Sequence, residues 1–392
     1  MNINSYISYN QEFSKLSKFC FIFMFLIFNI IKIQKIKTYF KEKKLSYYKK
    51  FIRDCYKLKK YKRKNINNNI PYFSICLATY NMENYIESTI SSIMNQSFQD
   101  FEIIIVNDYS NDNTLNIINK LKNNKIKIIN HSKNLGVLAS RIDCILNSSG
   151  KYLFLMDPDD LFLDPNLFEY LYNYNLKHNL DIIEFLMLTY LEKNKYLYKE
   201  EFYYHYHNFS DKIIYQPQLS NLFFYIPNTN NYSEIICQSS RNKIFRKEIL
   251  LKTVNYFGNE YYKEYFITAE DTLLSLISYQ FANNYSNINY PGYMYNIREK
   301  SMTHGEKTIK EIILYDYNYL LFNKILYKLI KDFKKDINFL FYDLKRTNIL
   351  LLQLKNLSNI LKTEVNEFYK EIRENSNISM EFNDFILNSL KN

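Results

Sequence analysis

Glycine is nearly missing from this chain: five in 392 residues, at Gly136, Gly150, Gly258, Gly292 and Gly305. No two are close enough for a G-x-G-x-x-G dinucleotide loop or a G-x-x-x-x-G-K-[ST] phosphate loop, so both of those nucleotide-binding classes are excluded. Tryptophan is absent, whereas Tyr (39) and Phe (30) abound beside Lys, Asn and Ile. The abundant residues have A/T-rich codons and Gly and Trp do not, so gene base composition accounts for the aromatic excess before any stacking surface does. Cys20, Cys55, Cys76, Cys144 and Cys237 are odd in number, scattered and without a C-x-x-C. That argues against a disulfide framework or a zinc site, and for a reducing compartment. A hydrophobic share of 47% is ample for a core, so wholesale disorder is excluded. The length suits about two average domains, or one large domain with attachments.

Acidic residues are scarce only at the start. Residues 1–70 hold 17 Lys/Arg against Glu12, Glu42 and Asp54, a balance of +14; the chain totals +11, so residues 71–392 carry −3. Within this basic head, residues 19–31 (FCFIFMFLIFNII) are apolar apart from Asn29. As a helix they would span about 20 Å, short of the ~30 Å hydrocarbon core. No small-residue cleavage site follows, which argues against a cleaved secretory signal. An apolar stretch followed by a polybasic one is a two-signal pattern for an anionic leaflet, by peripheral docking or a short single span on the cytoplasmic face. The other reading is a helix packed on the body and then a solvated linker. Nucleic-acid binding is not expected, because the mildly acidic body offers no matching surface.

After Asn65–Pro71, which reads as a linker, apolar spacing alternates between strand and helix. Strands are expected at 72–79, 102–106, 125–129 and 151–156, and helices at 83–96, 113–122 and 135–147, with Gly150 as a stop signal. This βαβαβαβ order implies an α/β fold, a mainly parallel sheet flanked by helices. Ligands of such sheets sit at the carboxyl ends of the strands. Those ends read Thr79-Tyr80-Asn81, Asn107-Asp108, His131 with Asn134, and Asp157-Pro158-Asp159-Asp160. Any one could be a cap or a turn. Four together indicate a polar pocket, and three carboxylates in one tetrapeptide repel unless a cation or protons neutralise them. Oxygen ligands without His or Cys favour Mg²⁺ or Mn²⁺, which fill their shells from phosphate oxygens, so a phosphate or diphosphate substrate is implied.

Three segments then carry a resemblance: SICLATYNMENYIESTISSIMNQSFQDFEIIIVNDYSNDNT (Ser74–Thr114), NLGVLASR (Asn134–Arg141) and GKYLFLMDPDD (Gly150–Asp160). In order, spacing and strand placement they resemble the family 2 glycosyltransferases, which have a Rossmann-like GT-A fold that binds nucleotide sugars. The resemblance implies that Thr79, Tyr80 and Glu83 border the base and that Asp108 reads base or ribose. It also sets Arg141 near the nucleotide half, Asp157 against the ribose, and Asp159 on a Mn²⁺ or Mg²⁺ that holds the diphosphate. Tyr109 departs from the family's D-D-G-S stretch, where glycine is usual.

Direct displacement at a sugar needs a base on the acceptor side. Glu270-Asp271 precede an apolar-faced helix expected at 272–281, where with Thr268 they could simply cap it. The resemblance favours Asp271 as the base, with Glu270 beside it. RNKIFRKEIL (Arg241–Leu250) resembles the family's W-N-K-L-F-R, with Arg241 in place of Trp, and YMYNIREKSMTH (Tyr293–His304) resembles Y-x-Y-R-x-x-x-S, with the arginine displaced to Arg298. Lys243, Arg298, Ser301 and His304 are candidate phosphate or acceptor contacts. His205 and His207 form an H-x-H that could bind metal, or simply face solvent or pack on aromatic rings. Residues 307–392 read as three or four amphipathic helices that cover the body, shape the acceptor side or form a homo-oligomer surface.

The expected organisation is a membrane-associating head (1–70), a GT-A catalytic domain (71–305) and a C-terminal helical region (306–392). The expected activity is metal-dependent inverting transfer of a sugar, from a UDP-type donor to a hydroxyl of a surface-glycan or lipid-linked acceptor. An inactive sugar-nucleotide binding or scaffold protein is the alternative. A nucleotidyltransferase would need a glycine-rich basic loop after the first strand, which ATYNMEN does not supply.

Overall fold

The computed structural model describes residues 70–191, 196–199, 211–222, 239–262, 265–266, 269–298 and 309–335, with residues 367 and 370 of a later helix. The basic head, His205, His207, Thr268, Ser301, His304 and most of the tail lie outside the described residues.

Four apolar strands open the body: β1 (Phe73–Thr79), β2 (Phe101–Asn107), β3 (Ile126–Asn130) and β4 (Tyr152–Met156). Between them lie α1 (Ile86–Met94), α2 (Thr114–Leu121) and α3 (Val137–Asn147). All three pairings among these strands, β1 with β2, β1 with β4 and β2 with β3, are parallel. Successive side chains of a strand point to opposite faces, so each strand supplies two cores. Ile75, Leu77, Ile103, Ile105, Phe154 and Met156 pack on one face beneath Ile86, Ile90 and Ile93 of α1. Cys76, Ile104, Val106, Leu153 and Leu155 pack on the other, against Leu138, Ile142 and Ile145 of α3. Because both faces are covered, these strands read as near-continuous apolar runs rather than as alternating ones.

Beyond β4 the sheet departs from the expected parallel pattern. The later elements are β5 (Leu161–Phe162), α4 (Leu167–His178), β6 (Ile182–Leu191), β7 (Tyr196–Lys199), β8 (Ile213–Tyr215), α5 (Gln218–Leu222), β9 (Lys243–Arg246), α6 (Lys247–Tyr262), α7 (Glu270–Phe281), β10 (Asn284–Ile297) and α8 (Ile309–Asp332). Strand order runs β3-β2-β1-β4-β9-β6-β10-β5, with β7 beside β6 and β8 beside β10. β9 is antiparallel to both β4 and β6, whereas β6 and β10 run parallel. Among the described residues the result is a mixed sheet of ten strands. Periodicity places a strand in a sheet but does not choose its neighbour, and β9 is a four-residue strand far in sequence from both of its partners.

The chain passes from β1 to β2 and β3 on one side and returns to β4 on the other, which makes the carboxyl ends of β1 and β4 a topological switch point, where open α/β sheets form a ligand crevice. Gly150 acts differently from the stop signal expected of it. A side chain there would meet the Ser74 amide at 2.6 Å, so the glycine permits close approach of the α3–β4 connection to β1. α8 joins the α3/α7 core through Leu320, Phe322, Ile325, Leu326, Leu329 and Ile330. Among the described residues no helix is long and apolar enough to cross a membrane.

Candidate active site

The loops after β1 and β2 fasten each other. The Asn81 amide donates to Ser110 Oγ at 3.1 Å, and the Asn111 amide donates to Asn81 Oδ1 at 2.8 Å. The Glu83 amide donates to Asp112 Oδ2, and Glu83 Oε2 accepts from the Asn113 amide at 3.0 Å. Asn81 and Tyr109 both adopt left-handed backbone, with φ of 53° and 61°. Tyr109 thus takes, with a Cβ, the conformation that glycine adopts freely, and its ring is exposed. Tyr80 is exposed on the same rim, whereas Thr79 is buried and its hydroxyl donates back to Leu77 O at 3.5 Å. Of the residues expected at the base, Tyr80 offers a free face and Glu83 ties loops together.

Asp108 turns inward. Its carboxylate accepts from the amides of Leu135 (2.8 Å) and Gly136 (2.9 Å) and pairs with His131 Nδ1 at 2.7 Å. His131 Nε2 reaches Asp143 Oδ2 at 2.8 Å. Asp108 therefore orders the 131–136 turn into α3. Gly136 (φ 90°) closes that turn, and a Cβ there would strike Phe266 O at 2.7 Å. The His131–Asp143 link escaped sequence reading, because neither residue belongs to the matched segments by chemistry.

The carboxylates of the Asp157–Asp160 loop have three separate environments. Asp157 Oδ1 pairs with Arg141 Nη2 at 2.6 Å, and its Oδ2 lies 3.5 Å from Arg241 Nη1. Burial alone would raise its pKa, but the Arg141 and Arg241 guanidinium groups outweigh it and hold the carboxyl below its usual range. Asp159 Oδ2 pairs with Nε of Arg298, whose guanidinium lies over the Tyr85 ring at 5.2 Å. Burial pushes Asp159 up to about 6; Arg298 opposes this and Asp157 adds to it. Asp160 is structural. It accepts from Tyr293 Oη (2.5 Å) and the Asn296 amide (2.9 Å) in β10, and burial with its acidic neighbours drives its pKa well up. Thr89 of α1 clamps the same loop by donating to Pro158 O and Asp160 O.

Arg141, buried in α3, joins this loop to the second half of the chain. Its Nε lies 3.2 Å from Glu270 Oε1, and its Nη1 has no hydrogen-bond partner among the described residues. Glu270 and Asp271 begin α7 behind Ala269, whose left-handed φ of 62° fixes the entry angle. Ala269 makes no side-chain cap. Glu270 is engaged with Arg141, and burial, helped by Asp271 and Asp157 and opposed by Arg141, raises its pKa to about 7. Asp271 is partly exposed; its Oδ1 accepts from the Thr272 amide at 2.8 Å, and its Oδ2 faces Arg241 Nη2 at 3.6 Å.

Lys243 needs a correction. Expected as a phosphate or acceptor contact, it is wholly buried in β9, paired with Glu184 Oε2 at 3.1 Å and donating to Ser239 O at 2.5 Å. It cannot meet a ligand at the rim. Arg141, Arg241 and Arg298 lie against the loop's carboxylates and already offset their mutual repulsion. Among the described residues no three His, Cys, Asp or Glu side chains converge for a metal ion. Asp159 meets one guanidinium among the described residues, where Asp157 meets two, so it is the loop carboxylate that would face a hard cation carried by phosphate oxygens.

Residues 74–253 match the family model described as Glycosyl transferase family 2. The chain carries a family 2 glycosyltransferase domain. The hyaluronan synthase of Pasteurella multocida is 39% identical over 103 residues, covering 26% of this chain and 10% of that protein. The poly(ribitol-phosphate) beta-N-acetylglucosaminyltransferase TarP of Staphylococcus aureus is 38% identical over 115 residues, covering 28% and 35%. The chain thus spans about a third or less of these curated relatives. A crystal structure of S. aureus TarS 1–349 in complex with UDP-GlcNAc superposes with a TM-score of 0.50 at 20% identity, over 81% of this chain and 79% of that one. At that identity the likeness concerns the fold, and this family 2 domain has the GT-A architecture.

Proposed function

We propose that this chain transfers a sugar, with inversion, from a nucleoside-diphosphate donor to a hydroxyl of a glycan or lipid-linked acceptor. The observation that carries the reading is Arg141. One buried guanidinium holds Asp157 at the end of β4 and Glu270 at the start of α7, so the donor-side loop and the Glu270-Asp271 pair form one network. Tyr80 lines the base side, and Asp157 faces the ribose. Asp159 would hold Mn²⁺ or Mg²⁺, which supplies positive charge for the leaving diphosphate. Arg298 lies within reach of the same phosphates. Asp271, partly exposed and beside the donor loop, takes the acceptor proton. UDP is favoured as the nucleotide by the TarS complex with UDP-GlcNAc, and a surface glycan as acceptor by the named activities of TarP and hyaluronan synthase.

Two substitutions test this. Asp159→Ala should lose the metal-dependent part of donor turnover, and full activity of that variant in EDTA would sink the metal assignment. Asp271→Asn should bind UDP as the unaltered chain does while losing transfer by about 10²–10⁴-fold. Normal transfer would put the base elsewhere, and failure of the unaltered chain to bind or turn over any UDP-sugar would favour the inactive scaffold. The basic head is assigned to an anionic leaflet by its charge of +14. Co-sedimentation with anionic but not neutral vesicles is expected, and equal recovery with both would remove that assignment.

A further inference from the structure

Arg241 stands where the family's segment has tryptophan, and its surroundings give it a specific task. The rear of the side chain is pinned: Nε donates to Ser239 Oγ at 2.8 Å, the same oxygen accepts from the Arg241 amide at 3.3 Å, and the guanidinium lies over the Tyr295 ring at 4.2 Å. Stacking on an aromatic face and a rigid fork are arginine properties that lysine does not share. The front of the fork is held loosely, with Nη1 3.5 Å from Asp157 Oδ2 and Nη2 3.6 Å from Asp271 Oδ2. One guanidinium therefore faces a carboxylate of the donor loop and the carboxylate assigned as base. The contacts differ in kind from that of Arg141, which meets Asp157 at 2.6 Å and is almost fully buried. Contacts as long as those of Arg241 are electrostatic rather than tight hydrogen bonds, so they orient without locking.

We propose that Arg241 is a positioning residue that aims Asp271 at the donor. This rests on the transferase reading above. Asp271 Oδ1 is fixed by the Thr272 amide, and Arg241 draws Oδ2 toward Asp157, so the carboxylate is set between its helix and the donor loop. When a donor hydroxyl hydrogen-bonds to the outer oxygen of Asp157, it competes with the long Arg241 contact there and leaves Asp271 the larger share of the fork. Base orientation is thereby coupled to donor occupancy, and a tryptophan at this position could not perform that coupling.

The test uses the full chain with Arg241→Gln and Arg241→Lys. Titration calorimetry with UDP reads donor binding, and released UDP from UDP-GlcNAc and UDP-Glc reads turnover. The side chain of Arg241 is 21% exposed and fills no closed core, so folding should survive; thermal melts check this. Arg241→Gln should bind UDP within about threefold of the unaltered chain and lose at least tenfold in kcat with little change in donor KM. Arg241→Lys should recover part of kcat, because it keeps the charge but loses the fork and the stack. A kcat unchanged in Arg241→Gln would overturn the proposal. So would UDP affinity falling in step with kcat, which would make Arg241 a donor contact. If the unaltered chain binds no UDP, the transferase reading itself falls and this inference with it.

Discussion

Replacing Glu270 by glutamine should stabilise the protein above neutral pH and leave it unchanged in mild acid. Glu270 is 7% exposed, and burial with Asp271 and Asp157 nearby lifts its pKa from 4.5 to about 7 despite Arg141. Between those two values the folded chain retains a proton that the unfolded chain has released, so stability falls as pH rises. The contribution is complete below about 4.5 and lost as pH passes through about 7. A rise of that size corresponds to about 3 kcal/mol. Glutamine is neutral at every pH, nearly isosteric, and keeps an oxygen for Arg141 Nε. Urea unfolding followed by circular dichroism from pH 4 to 8 should therefore give nearly equal stabilities at pH 4, with an advantage for Glu270→Gln growing to about 3 kcal/mol by pH 8. Titrating groups remote from Glu270 are common to both proteins and cancel in the difference. A flat difference curve would refute the burial argument, and a variant less stable at pH 8 would show that pairing with Arg141 outweighs desolvation.

Lys243→Met should leave Glu184 buried with Tyr285 as its one remaining side-chain partner among the described residues, at a cost of about 3–5 kcal/mol, which lowers Tm by roughly 6–20 °C without altering UDP affinity. The double variant Lys243→Met/Glu184→Leu should recover most of that loss, and a selective loss of UDP binding in the single variant would restore Lys243 to the site. Tyr109→Gly removes a left-handed Cβ penalty of about 1–2 kcal/mol and adds back about 0.5–1 kcal/mol of chain entropy, for a small net gain in unfolding free energy. A measured loss would mean that the exposed Tyr109 ring makes stabilising contacts.

The parts of this protein that were legible in the sequence are those governed by local periodicity. From Phe73 to Met156, apolar strands alternate with helices whose isoleucines recur at helical spacing, and each observed boundary falls within about three residues of the expected one. Polar residues at the ends of these four strands share one rim, because a parallel sheet presents all those ends on one side. Beyond β4 that rule stops. A four-residue strand such as β9 carries no information about which strands it will separate, so the mixed half of the sheet could not be read.

Sequence alone determined that this chain has a parallel α/β half, a carboxylate loop at its rim and an acidic pair at a later helix start. Only the tertiary structure decided how those charges are shared. Arg141 meets Glu270 across 129 residues, Arg241 meets Asp157 across 84, and Lys243, a candidate in sequence, is spent on Glu184 in the core. The physical reason is that an ion pair depends on distance and burial in three dimensions, and neither leaves a period in the chain.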